Sequence, residues 1–212
     1  MVEKATSRRG DEALSPERTA AFIDAAVAIA MTLLVLPLME SVTDHADIDE
    51  HTAAAWFGDH QQQLISFVIS FVMILMFWMI HHRLFRRVTA VPSGLMWLVG
   101  AWLLTIVWLP VATAMSGAFP ADDALTRAVY IGSLLLVSVA SFVIRLYLRA
   151  HPEIDGRAEA NARDGLALDS SLILLFGIAL VVSVLVPQIG YWSLLIMFLS
   201  GVTQRLLRRL WR

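Results

Sequence analysis

The chain has 212 residues, of which 58% are hydrophobic and 16% charged, against roughly 45–50% and about 25% in average globular domains. Mean hydropathy is +0.70, cysteine is absent and the net charge is −2. Together these exclude a large extramembrane catalytic domain, a disordered chain and a disulfide scaffold.

Residues 1–17 read as a polar cytoplasmic tail, and no cleavable signal peptide is expected there. Residues 18–212 read as one all-α integral membrane domain. No strand-length alternation recurs as a barrel needs, and lipid-exposed backbone must satisfy its own hydrogen bonds, which leaves helices. Hydropathy predicts six spans of ~20 residues, at about 18–39, 63–85, 94–118, 125–148, 165–186 and 190–207. The first is interrupted only by Asp24, and the third carries Pro110 near its far end. An uncharged run from Ser170 to Val202 is too long for one span, and Pro187-Gln188-Ile189-Gly190 supplies the break that divides it into the last two.

Charge placement supports an even number of spans. With both termini inside, every one of the 16 basic residues except Arg127 falls on the cytoplasmic side. The clusters are Lys4, Arg8, Arg9 and Arg18; Arg83, Arg86 and Arg87; Arg145, Arg149, Arg157 and Arg163; and Arg205, Arg208, Arg209 and Arg212. The loop after the first span holds Asp44, Asp47, Asp49, Glu50 and Asp59 without Lys or Arg, which would concentrate cations or simply be solvated. Residues 151–164 read as a cytoplasmic connector.

The first span carries the most chemistry. Asp24 is the one carboxylate well inside a predicted span, where an ionised group costs on the order of +2.5–3.5 kcal/mol. It must face protein or water, either fixing helix packing or joining an ion path. Ala26 and Ala30 form a small-xxx-small pair that permits close helix approach. Ile29, Leu33 and Leu36 form a bulky stripe with Thr32 beside them. Such a stripe serves lipid, core or pore, and spacing does not choose among them.

Motifs narrow the choice. Arg18, Phe22 and Asp24 precede Ala28-Ile29 and Thr32-Leu33-Leu34-Val35-Leu36; the second span ends with Trp78, His81 and His82; the third ends with Leu109, Pro110 and Thr113. In these three spans the chain resembles the transmembrane protein 175 family, whose bacterial members open on R-x-x-x-F-S-D. It departs at Ile23, where the motif has serine, and at Trp97-Leu98, where asparagine is frequent. The resemblance implies a homotetramer of six-helix subunits in a lipid bilayer, with four first helices around a central pore. The hydrophobic constriction maps to Ile29, with Leu33 and Leu36 as further rings and Thr32 as the polar neighbour. Arg18, Phe22, Asp24, Trp78, His81 and His82 map to the motif and its packing network. The implied function is a weakly selective, potassium-permeable channel for monovalent cations, since nothing resembles a TVGYG carbonyl filter.

No cofactor or metal is expected, because adjacent histidines on a helix cannot face one ion as an i, i+4 pair can. One histidine is expected to pair with Asp24 or the first-helix backbone and the other to meet headgroups, a contact that could make gating proton-sensitive. The basic carboxy terminus reads as a headgroup anchor, not a nucleic-acid patch, and no enzymatic motif appears. Two other functions fit less of the sequence. A proton-coupled secondary transporter would use Asp24 as carrier but lacks further buried polar groups, and a non-conducting scaffold rests only on the oily stripe. Arg and Ala exceed Lys, which suits a bacterial plasma membrane.

Overall fold

A computed structural model describes residues 15–46, 52–156, 159–186 and 200–207, all of them helical or in short connections. In chain order the helices are α1 (Pro16–Leu33), α2 (Leu36–Ala46), α3 (Ala53–Asp59) and α4 (Gln61–Phe85). There follow α5 (Ser93–Ala118), α6 (Ala124–Ala150), α7 (Glu159–Leu185) and α8 (Ser200–Leu207). Five helical stretches are long and apolar enough to cross a membrane: Pro16–Thr43, Gln61–Phe85, Ser93–Ala118, Ala124–Ala150 and Arg163–Leu185.

The sixth expected span falls mostly outside the described residues, since only α8 covers its end. So do Lys4, Arg8, Arg9, Asp47, Asp49, Glu50, Arg157, the Pro187–Gly190 break, Arg208, Arg209 and Arg212.

Local sequence explains the helix boundaries. Ser15 caps α1, its hydroxyl accepting from the Arg18 amide at 3.3 Å, and Pro16 occupies the first turn, where no N–H is missed. The first span is not one continuous helix. It turns at Leu34-Val35 before α2, because Pro37 has no N–H for the Leu33 carbonyl. Asp123 caps α6, its carboxylate accepting from the Thr126 amide at 2.7 Å.

The core lies among α4, α5, α6 and α7, where Trp102, Ile106, Leu134, Val137 and Phe176 are fully buried. The indole N–H of Trp102 donates to Ser141 at 2.9 Å inside this core. α1 packs against α4 and α5 through Ile23, Val27, Ala30 and Leu34, the first three each one turn apart. Ala30, fully buried, is what lets the backbones approach.

At the end of the bundle holding Arg83, Arg86 and Arg87, the α4–α5 and α6–α7 connections pair with each other. Val88 and Asp155 form an antiparallel bridge; the Thr89 amide donates to Ile154 at 3.1 Å and the Gly156 amide to Arg87 at 3.0 Å. Residues 151–156 of the expected connector are therefore extended and turned, and helix resumes at Glu159.

Candidate functional site

The two faces of α1 differ. Thr19, Ile23, Val27 and Ala30 are buried against the bundle. On the flank about a quarter turn round the helix, Phe22 is 57%, Ile29 60% and Leu33 42% exposed within the single subunit, and Leu36 beyond it 48%. The stripe singled out in the sequence is thus part of the apolar surface that the single subunit leaves uncovered. Thr32 lies exposed beside it, with its hydroxyl donating to the Ile29 carbonyl of its own helix at 2.8 Å. Leu36 lies beyond the turn at Leu34-Val35, at the start of α2.

Asp24 sits at the other edge of the buried face, away from the stripe. The indole N–H of Trp78 on α4 donates to Asp24 Oδ1 at 2.7 Å, and His82 Nδ1 lies 3.9 Å from the same oxygen. Trp78 and His82, one turn apart, keep their rings 5.3 Å from each other. Two motif residues of α4 therefore converge on the one carboxylate of α1. Arg18 lies exposed on the first turn of α1.

The expectation for the second histidine is corrected. His81 does not reach headgroups: it is buried, stacked on Trp102 at 4.0 Å and Phe85 at 4.8 Å. Successive positions on a helix point about 100° apart, so His82 facing α1 sends His81 into the core. Neither ring nitrogen of His81 has a hydrogen-bond partner among the described residues. A crevice of about 150 Å³ opens beside it, lined by Glu17, Asp24, His82 and Arg86 as well as apolar groups. No group of three or more metal-ligating side chains occurs among the described residues.

Three buried charges escaped the sequence reading. Arg145 on α6 and Asp169 on α7 form a buried bidentate pair, with the second contact at 3.3 Å. Asp24 is therefore not the only carboxylate deep in a helical span. Both residues border apolar runs, where they read as flanking charges. The available signal was Gly165, one turn before Asp169 on the same face: a Cβ there would overlap the Arg145 guanidinium. Arg127 is likewise fully buried. A hydroxyl chain was also missed, in which Thr113 donates to Ser70 at 2.7 Å and Ser70 lies 2.8 Å from the Tyr130 hydroxyl.

Residues 18–110 match the sequence model of the family described as endosomal/lysosomal potassium channel TMEM175. A bovine protein named endosomal/lysosomal proton channel TMEM175 is 32% identical over 143 residues, 63% of this chain and 29% of that protein. A protein from Streptomyces collinus named as a potassium channel is 31% identical over 124 residues, 58% of each chain. This chain thus covers less than two thirds of either relative. The crystal structure of a lysosomal potassium-selective channel TMEM175 homolog from Chamaesiphon minutus superposes with a TM-score of 0.70, at 20% identity, over 89% of this chain and 97% of that one. The family resemblance carried by the motifs is borne out, and the fold is shared.

Proposed function

We infer that this chain, related to the transmembrane protein 175 family through residues 18–110, is a cation channel whose pore is built by α1 from four copies of the subunit. The observation that carries the reading is the uncovered stripe of Ile29 and Leu33 with Leu36 beyond the turn, on a helix whose adjoining face is buried. Four such stripes around an axis would exclude water from a narrow neck, and an ion cannot cross a dewetted neck without losing its hydration. Ile29 would form the constriction, Leu33 and Leu36 further rings, and Thr32 the nearby polar surface. Widening or rotation of α1 would rehydrate the neck. The Trp78–Asp24–His82 cluster fixes the base of that helix against α4.

Potassium is the proposed permeant ion, in keeping with the name of the Streptomyces relative, and protons are the alternative that the bovine name suggests. The subunit would carry six spans in a bacterial cell membrane, with both termini inside and no cofactor. Single-channel recording of Ile29→Asn in planar bilayers tests this. A polar ring at the neck should raise basal open probability; unchanged conductance and gating would remove Ile29 from the constriction. Reversal potentials under potassium and proton gradients then separate the two ions.

A proton-coupled transporter using Asp24 is the second reading. The crevice beside Asp24 favours it, but the second buried acid, Asp169, is already held by Arg145. Saturable, gradient-driven uptake without unitary current steps would establish it in place of the channel.

A further inference from the structure

Backbone hydrogen bonding in α7 runs to its end, with the Val186 amide donating to Val182 at 2.9 Å. The next carbonyl, Ser183, would take its donor from position 187, and Pro187 has no N–H. Arg127 on α6 supplies one: its Nε–H donates to the Ser183 carbonyl at 3.1 Å. The same arrangement recurs in α5. The Phe119 amide donates to Met115 at 3.0 Å, the next carbonyl is Ser116, and the residue four further on is Pro120. Gln62 on α4 donates its side-chain amide to Ser116 at 2.8 Å and to Phe119 at 3.2 Å.

We propose that Arg127 and Gln62 replace the backbone donors that Pro187 and Pro120 lack, latching the carboxy ends of α7 and α5 to neighbouring helices. A carbonyl left bare in an apolar bundle costs the full desolvation of that group. Each latch satisfies one such carbonyl from a different helix. Arg127 adds a positive charge at the negative end of the α7 dipole, and its Nη1–H donates to Ala121 at 2.8 Å. This also accounts for the one basic residue that breaks the charge asymmetry of the sequence. Its charge is held inside the fold, where it does not bear on orientation.

The test is a pair of double-mutant cycles on the purified full-length protein in detergent, read as thermal midpoints. Arg127→Leu should lower the midpoint by ~5 °C or more. In a Pro187→Ala background, where Ser183 regains a backbone donor, the same change should cost about half as much or less. Gln62→Leu should show the same dependence on Pro120→Ala. The two pairs keep the test open if one single variant does not fold. Equal losses with and without the proline in both cycles would overturn the proposal. Coupling in either cycle supports the latch at that helix end, and these outcomes do not depend on whether the chain conducts ions.

Discussion

Trp78 and Asp24 meet across the α1–α4 contact by a hydrogen bond of 2.7 Å from indole to carboxylate. That single bond joins the helix proposed to line the pore to the one behind it. An indole donor suits the place. It brings a large apolar body for the bundle and one N–H aimed at a charge that would otherwise be stranded at membrane depth.

Trp78→Phe should keep much of the apolar contact and lose the donor. Hydrogen bonds to charged groups contribute about 1.5–3 kcal/mol when buried. Asp24 is half-exposed, so a loss near ~1 kcal/mol is expected, seen as a lower thermal midpoint in detergent. Asp24→Asn keeps an acceptor for the indole and should be the milder variant; if it were the harsher one, the charge and not the bond would hold α1.

The Arg145–Asp169 pair gives a different pattern. Replacing either partner alone leaves the other charge buried, with an expected cost of about 3–5 kcal/mol. Arg145→Met with Asp169→Leu should recover most of that loss, measured by thermal denaturation. Gly165→Ala should also destabilise the protein, because its Cβ meets the guanidinium.

Ala30 is buried where α1 approaches the bundle. Ala30→Leu should therefore push α1 outward at a cost of about 1–3 kcal/mol, while Ala28→Leu on the exposed side should leave subunit stability nearly unchanged. Limited proteolysis and melting of the two variants, side by side, check the assignment of faces.

Asp123 gives the pH dependence. Hydrogen bonds from the Thr126 side chain and amide, with Arg127 nearby, hold its carboxyl below its ordinary 3.8. A depressed carboxylate stabilises the fold fully above its unfolded value, and that contribution fades as pH falls through the lower folded value. Asp123→Asn keeps a capping side chain but lacks the charge, so it should melt below the wild type at pH 7. Between pH 4 and pH 2 it should lose less, as read by melts across that range.

Much of this was legible in the chain. Hydropathy marks the long helices because lipid and core demand the same apolar residues, and the motif residues Asp24, Trp78 and His82 do assemble in one place. Pro37 was equally visible, yet the break it causes falls inside a run apolar enough to read as one span. Arg145, Asp169 and Arg127 were misplaced for a common reason. One-dimensional charge counting cannot tell a flanking residue from one whose partner sits on another helix. The facing direction of His81 was open until the neighbouring His82 was fixed toward α1.

The paired connections at Val88 and Asp155 clamp the ends of α4, α5, α6 and α7 into a common floor. Such a floor resists splaying of those four helices, so a subunit that changes shape has little freedom there. α1 is joined to α2 by the turn at Leu34-Val35 and lies outside the clamp. It is the piece best able to tilt as a lever while its scaffold stays still.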